Sequence, residues 1–186
     1  MSTNQIVPGS IAAVAQQTGK SIAESFLSAD AVILVDTSGS MHANDSRNGR
    51  SRYDVACEEL KKLQAELPGK LALLSFSSDV RFCPAGIPTD FGEQTNLSKA
   101  LKFAKQADIN NMRFIVISDG EPDSEQDAIF EAKKYKNRID TIFVGPDGGA
   151  GQDFLKRLAK ASGGQNMTSA QVKELATDVR TLLLTA

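Results

Sequence analysis

The fold is decided by the stretch Ala31-Val32-Ile33-Leu34-Val35-Asp36-Thr37-Ser38-Gly39-Ser40. Its five consecutive apolar residues predict a buried β-strand, because a strand covered on both faces is apolar throughout. The polar residues that follow place the carboxylate of Asp36 and the hydroxyls of Ser38 and Ser40 at the end of that strand. Hard oxygen ligands of this kind suit Mg²⁺, Ca²⁺ or Mn²⁺ and hold softer metals poorly. The stretch therefore predicts a buried strand that ends at a cation site.

Two later segments supply ligands of the same chemistry. Gly92-Glu93-Gln94-Thr95-Asn96-Leu97 offers a third hydroxyl, that of Thr95, just before an amphipathic helix. Ile115-Val116-Ile117-Ser118-Asp119-Gly120-Glu121-Pro122 offers a second carboxylate, that of Asp119, after another apolar run. In this order the three segments resemble the metal-ion-dependent adhesion site of von Willebrand factor A domains. The pattern of that family is Asp-x-Ser-x-Ser, then a Thr on a second loop, then an Asp after a later strand.

The resemblance covers about residues 29 to 186 and implies a set of metal-site positions, which we call the five site residues: Asp36, Ser38, Ser40, Thr95 and Asp119. It implies that the two serines bind Mg²⁺ (or Mn²⁺ or Ca²⁺) directly and that Thr95 does so when ligand is engaged. It also implies that the two aspartates often act through water. Because Mg²⁺ usually keeps exchangeable waters, an Asp or Glu of a partner protein could complete its coordination. The implied function is a divalent-cation-dependent protein-binding module without catalytic activity.

Apolar runs alternate with amphipathic stretches along the chain. The predicted strands are 31–36, 71–76, 80–83, 113–118, 139–144 and 165–168, and the predicted helices are 11–27, 53–67, 97–107, 124–135, one ending near 161, and 170–184. Strands separated by helices indicate an α/β fold, a doubly wound parallel sheet with helices on both faces. The short connection at 77–79 makes the third strand antiparallel to the second. The resemblance adds a Rossmann-like sheet of six strands, in the order 3-2-1-4-5-6, with strand 3 at the edge.

Composition limits the classes of function. The 186 residues, 41% of them hydrophobic, suffice for one domain with a core, and a net charge of −2 does not indicate a nucleic-acid binder. Cys57 and Cys83 are expected to be two thiols rather than a disulfide. With no apolar run of membrane-spanning length and no signal-peptide pattern, we expect a cytoplasmic protein without membrane contact. Stand-alone bacterial proteins similar to this one work beside AAA+ ATPases, chelatase-type machinery or stress-resistance systems.

Residues 1 to 28 are predicted to form an N-terminal helical extension before a domain at 29 to 186. The apolar stripe of its helix comprises Ile11, Val14, Thr18, Ile22 and Phe26, and it packs either on the domain or on a partner. Two alternative functions remain open at this point. One is a structural metal with association through this helix. The other is a Mg²⁺-dependent phosphotransferase or hydrolase, although Ser38 stands where such phosphotransferases carry a second carboxylate and only His42 and Glu121 are nearby bases.

Several charged residues near the predicted site have two interpretations. His42 is either solvated on its loop, which we favour, or tunes the rim of the site. Arg47, Arg50 and Arg52 form either a plain exposed loop, which we also favour, or a contact for an acidic partner. Asp79 and Asp123 are expected to be turn or helix-capping residues rather than contacts of the metal.

Overall fold

The computed structural model describes residues 5–90, 92–145, 150–168 and 175–184. Its strands are β1 (Ala31–Asp36), β2 (Leu71–Phe76), β3 (Val80–Phe82), β4 (Arg113–Ser118), β5 (Ile139–Phe143) and β6 (Asn166–Thr168). They form one sheet in the order β3-β2-β1-β4-β5-β6. Every neighbouring pair is parallel except β2 and β3, which are antiparallel. The predicted α/β fold, strand order and antiparallel edge strand are thereby confirmed.

Helices cover both faces of the sheet. They are α1 (Ile11–Thr18), α2 (Ile22–Leu27), α3 (Arg52–Glu66), α4 (Leu97–Ala104), α5 (Glu125–Ala132), α6 (Ala150–Ala161) and α7 (Leu175–Leu184). Apolar residues of α3 and α7 pack on one face, and those of α4, α5 and α6 pack on the other. The predicted start of the last helix at Ala170 lies outside the described residues.

The central strand β1 shows why the sheet needs helices on both sides. Val32 and Leu34 point into the cluster formed with α4, α5 and α6, whereas Ile33 and Val35 point into the cluster formed with α3 and α7. All four side chains are completely buried. Side chains alternate between the faces of a strand, so an unbroken apolar run is what a strand between two helical layers requires.

The predicted single helix over residues 11 to 27 is wrong, because the structure has two helices there. Gly19 ends α1 with a φ of 69°, a left-handed conformation that glycine adopts without steric cost. The next helix begins at Ile22 and is capped by Ser21, whose side chain accepts a hydrogen bond from the backbone of Glu24 while the Glu24 carboxylate accepts one from the backbone of Ser21. The break turns the apolar stripe, so Ile22 is 38% exposed.

The N-terminal segment packs on the same body as the sheet. The backbone N–H of Val7 donates to Ala85 at 2.9 Å and that of Ala12 donates to Pro84 at 2.8 Å. Ile11 is 1% exposed and belongs to the cluster that includes β1. In contrast, Leu27 at the end of α2 is 62% exposed. The segment is therefore held through α1 and through Phe26 of α2, which packs edge-on against Phe82, while the rest of α2 keeps an exposed apolar surface.

Two further features complete the description of the fold. Cys57 and Cys83 are both free thiols, as predicted. Among the described residues, no helix is both long and apolar enough to cross a membrane.

Candidate metal centre

The carboxylates of Asp36 and Asp119 lie at the carboxyl-terminal ends of adjacent parallel strands. Val35 of β1 pairs with Ile117 of β4, so Asp36 lies beside Ser118, the residue before Asp119. The chain continues from β1 to β2 on one side of β1, whereas β4 lies on its other side. Open α/β sheets bind ligands at such a reversal of strand order, beyond the carboxyl ends of the strands. The fold thus brings both predicted carboxylates to the expected crevice.

Asp36 is completely buried, and each of its carboxylate oxygens accepts a hydrogen bond from a neutral donor. Burial, together with the nearby charge of Asp119, raises the pKa of Asp36 to about 6, against the opposing effect of hydrogen bonds from Ser118 and Ser38. A carboxylate in this environment is stabilised by any cation that binds beside it. Its surroundings therefore favour the uptake of positive charge.

The two serine hydroxyls lie on the turn that follows β1. The backbone N–H of Ser38 donates to Oδ1 of Asp36 at 2.9 Å, which holds the turn against the strand end. The hydroxyl oxygens of Ser38 and Ser40 are 3.2 Å apart. Ser38 is buried and Ser40 is exposed, so the two hydroxyls lie between the buried carboxylate of Asp36 and the protein surface.

Thr95 is held at the same edge by loops that follow two strands. Its backbone N–H donates to Oδ1 of Asp123 at 3.0 Å, and the N–H of Asp123 donates to the carbonyl of Thr95 at 3.0 Å. The next residue, Asn96, donates its N–H to the carbonyl of Ser77 at 2.9 Å. Asp123 therefore positions the Thr95 loop, and the predicted capping role falls to Ser124, whose side chain caps α5.

Asp119 has one satisfied carboxylate oxygen and one that is not. Oδ2 accepts a hydrogen bond from Nη1 of Arg52 at 3.0 Å. Oδ1 is buried and has no hydrogen-bond partner among the described residues, and the residue as a whole is only 7% exposed. A buried carboxylate oxygen without a partner is costly, and a bound cation removes that cost. This orphaned oxygen is the feature of the site that best fits a metal ion.

Gly120 fixes the loop that carries Asp119. It has a φ of +83°, and a Cβ at this position would lie 2.2 Å from the carbonyl oxygen of Gly151 in the first turn of α6. Only glycine allows the loop and the helix to approach this closely. The position of Asp119 therefore depends on contact with α6.

Arg52 is not part of an exposed loop, contrary to the favoured prediction. It is the first residue of α3 and its side chain is 10% exposed. Its Nε donates to Oδ1 of Asp45 at 2.8 Å and its Nη2 donates to Oδ2 of Asp45 at 2.5 Å. Arg50 pairs instead with Glu58, on the same helix as Arg52. The side chain of Arg47 lies outside what the structure describes.

Two other charged residues of the edge have partners outside the five site residues. His42 is exposed on its loop, as in the favoured interpretation, and its Nε2 lies 3.0 Å from Oδ2 of Asp90. Oδ1 of Asp79 lies 2.8 Å from Nζ of Lys99. His42 and Asp90 are each about half exposed and belong to the rim of the crevice.

The donor set at this edge consists of oxygen atoms. Within the described residues, no group of three or more His, Cys, Asp or Glu side chains is placed to hold a metal ion. A metal here would depend on two carboxylates together with the hydroxyls of Ser38, Ser40 and Thr95. Such a set suits Mg²⁺, Mn²⁺ or Ca²⁺ and lacks the imidazole and thiolate ligands that Zn²⁺ prefers.

Solved structures share this fold at low sequence identity. An aerotolerance-related membrane protein from Bacteroides fragilis matches with a TM-score of 0.69 and 16% identity, over 83% of this chain and 98% of that one. BatB from Bacteroides thetaiotaomicron matches with a TM-score of 0.58 and 17% identity, over the same shares of the two chains. A von Willebrand factor type A protein from Catenulispora acidiphila matches with a TM-score of 0.55 and 18% identity, over 82% of this chain and 41% of that one.

Sequence comparison gives no closer relationship. No protein-family model matches the sequence. No curated protein matches it either. The structural likeness establishes that the chain has the Rossmann-like fold found in von Willebrand factor A domains.

Proposed function

We propose that this protein is a divalent-cation-dependent protein-binding module. A metal ion, Mg²⁺ in the first instance, would be held by the five site residues, and a partner protein would offer an Asp or Glu carboxylate to it. The observation that carries the proposal is the buried Oδ1 of Asp119, which lies beside the fully buried Asp36 and lacks a hydrogen-bond partner in the described part of the chain. When bound, the ion would neutralise the two carboxylates and present an open coordination position to an incoming oxygen.

The exposed charges around the site indicate which charges a partner segment should carry. Exposed acidic residues on the loops at this edge are Asp45, Asp90, Glu93, Glu121 and Asp123. An isolated acidic segment would be repelled by them, whereas a carboxylate flanked by Lys or Arg would be attracted. We therefore propose a partner segment with one acidic residue in a basic context. An AAA+ ATPase is the partner class implied by the sequence resemblance.

Binding is favoured over catalysis by the arrangement of the candidate bases. A hydrolase or phosphotransferase at this site would need a base within reach of a metal-bound water or substrate, oriented by another group. Asp90 orients His42 through Nε2, but this pair lies on the rim with both side chains exposed, and the side chain of Glu121 is exposed as well. Position 38 carries a hydroxyl where a nucleophile–acid pair would need a second carboxylate.

The test is a calorimetric titration of Mg²⁺ and of Mn²⁺ into metal-stripped protein. Wild type is compared with the double variant Asp36→Ala/Thr95→Ala and with the control Asp30→Ala. Asp30 is an exposed carboxylate that pairs with Lys70 at 3.2 Å. It precedes β1 and so lies at the amino-terminal end of that strand, away from the candidate site. We expect the Asp30→Ala control to bind each ion with the same affinity as wild type. The double variant is expected to lose the binding of both ions.

Partner binding is then tested by affinity capture with immobilised protein in Mg²⁺ and in EDTA. The expected partner is retained by wild type and the Asp30→Ala control in Mg²⁺, is released by EDTA, and is lost when its own acidic residue is changed to Asn or Gln. Equal cation binding by wild type and the double variant would refute the metal site. Equal capture in EDTA would refute the cation-dependent mode of binding.

A further inference from the structure

Arg52 carries a buried positive charge into direct contact with one of the five site residues. Its Nη1 lies 3.0 Å from Oδ2 of Asp119, and the side chains of both residues are at most 10% exposed. The guanidinium stays protonated, because its hydrogen bonds to Asp45 raise the pKa of Arg52 above its ordinary value. A permanent cation is therefore fixed beside the carboxylates proposed to hold a metal ion.

The position of Arg52 in its helix is unfavourable for a cation. It is the first residue of α3, directly after the N-cap Ser51. The N-terminus of a helix carries a partial positive charge, which disfavours Arg in the first turn. Burial adds a desolvation cost, which a paired carboxylate must offset. Helix formation and burial do not favour Arg at this position, so its contacts with the two aspartates must offset both costs.

Asp45 and Asp119 divide the guanidinium between them. Asp45 takes Nε and Nη2 in a two-pronged pair at 2.8 and 2.5 Å, and its side chain is 44% exposed. Asp119 accepts a hydrogen bond from the remaining Nη1 at Oδ2, and its Oδ1 has no partner within the described residues. Asp45 thus anchors Arg52. Arg52 in turn pairs with one oxygen of the Asp119 carboxylate and leaves the other oxygen open.

We propose that Arg52 is a built-in counter-cation that stabilises the metal-free site and weakens its affinity for divalent ions. This inference rests on the proposed metal site. Like charges repel at this range, so a divalent ion bound to Asp119 is destabilised by the guanidinium on the same carboxylate. The low affinity that results makes retention of the ion depend on the carboxylate of the partner.

The test measures Mg²⁺ and Mn²⁺ affinity by calorimetry, and metal-free thermal stability in EDTA, for four proteins. Arg52→Gln removes the charge and keeps an amide, and we expect cation binding to tighten about tenfold while the metal-free Tm falls by several degrees. Asp45→Asn keeps Arg52 but removes the exposed charge that offsets it, and we expect cation binding to weaken. Arg52→Lys keeps the charge, and we expect an affinity near that of wild type.

Arg52→Gln distinguishes two roles for Arg52, because cation binding tightens if the guanidinium competes with the ion and weakens if it orients Asp119. Weaker binding by Arg52→Gln would show that Arg52 orients Asp119 rather than competing with the ion, and it would overturn the inference. Normal binding by wild type and an unchanged affinity in Arg52→Gln would overturn this inference alone. Binding by neither protein would overturn the metal site and the inference together. If Arg52→Gln does not fold, the neutral variant Arg52→Met is measured in its place: tighter cation binding supports the inference, and weaker or unchanged binding overturns it.

Discussion

Ser118 donates a hydrogen bond of 2.6 Å from its Oγ to Oδ2 of Asp36, and this bond joins β4 to β1 at the crevice. The same Oγ accepts a hydrogen bond of 2.9 Å from the backbone N–H of Gly120. One hydroxyl therefore holds the first site carboxylate directly and the turn that carries Asp119 through its backbone. The two carboxylates belong to a single hydrogen-bonded unit, and a change in one strand end is expected to affect the other.

The first prediction concerns the pH dependence of metal-free stability. The pKa of Asp36 is about 6 in the folded protein against 3.8 ordinarily, so the folded state holds this proton more tightly than the unfolded state. Stability contributed by the proton is present below pH 4, falls as pH rises to about 6, and is constant above that. The expected loss of unfolding free energy is about 3 kcal/mol as an upper estimate.

Urea unfolding in EDTA at pH 4.5, 5.5 and 7 measures this loss. Other carboxylates, such as Asp45 and Asp108, have lowered pKa values and stabilise the protein as pH rises, so the quantity to follow is the difference between wild type and Asp36→Asn. We expect wild type to lose stability relative to this variant as pH rises, and saturating Mg²⁺ to abolish the loss. A difference that does not change with pH would contradict the prediction.

The second prediction concerns the hydroxyl shared by the two strand ends. Ser118→Ala leaves Oδ2 of Asp36 and the N–H of Gly120 without their hydrogen-bond partner in a buried region. Removing a partner from buried polar groups costs about 1–3 kcal/mol of unfolding free energy. Urea unfolding at pH 7 measures the cost. The control Ser98→Ala removes a half-buried hydroxyl that donates to Oδ1 of Asn96, and its effect should stay within about 0.5 kcal/mol.

The strands could be predicted because burial on both faces requires runs of apolar residues, which are visible in the sequence. The bounds of β1, β2 and β4 match the predicted strands at both ends, since these strands lie between two helical layers and are apolar along most of their length. Helix ends were less predictable, because a single glycine and a capping box divided one apolar stripe. The pattern of the stripe continues across Gly19, but the backbone does not.

The location of the candidate site was predictable to the same extent as the strands. Asp36 and Asp119 follow apolar runs, so their meeting at one edge of the sheet follows from parallel topology. The roles of Arg52 and Asp123 were not predictable, because both act through contacts with residues distant in the chain. Arg52 reaches Asp119 across 67 residues, and Asp123 reaches Thr95 across 28. Their sequence neighbourhoods predict only a helix start and a turn.

The third prediction separates backbone strain from steric contact at the Asp119 loop. Gly120→Ala places a Cβ 2.2 Å from the carbonyl oxygen of Gly151 at a φ of +83°, so the loop must move away from α6. Gly49 already has a similar φ of +67°, and apart from its chain neighbours no described atom lies within 4 Å of the Cβ that Gly49→Ala would add. Strain alone costs about 1 kcal/mol. We expect Gly49→Ala to lose about this much stability and to bind cations normally.

Gly120→Ala is expected to lose more stability than Gly49→Ala and to lose cation affinity, because the displaced loop carries Asp119. Urea unfolding and Mn²⁺ titration measure the two effects on each variant. Equal losses of stability in both variants, with intact cation binding, would show that contact with α6 does not fix the position of Asp119.

The fourth prediction concerns the loop that carries Thr95. Asp123 accepts a hydrogen bond from the N–H of Thr95 and donates its own N–H to the Thr95 carbonyl. Asp123→Ala removes the first of these bonds and leaves the second, so the loop is loosened rather than released. Because Asp123 is exposed, the loss of stability should be small, at about 0.5–1.5 kcal/mol. Amide hydrogen exchange should accelerate at residues 93–96 and should change little in β1 and β4.

The matched control is Asp127→Ala, which removes an exposed carboxylate from the first turn of α5. Both substitutions remove one negative charge from the same edge, so any general electrostatic weakening of cation binding is common to both. We expect a further several-fold weakening in Asp123→Ala alone, because the Thr95 hydroxyl is then less well placed. Equal weakening in the two variants would mean that Asp123 acts through its charge, and that Thr95 is positioned by the bond between Asn96 and Ser77 instead.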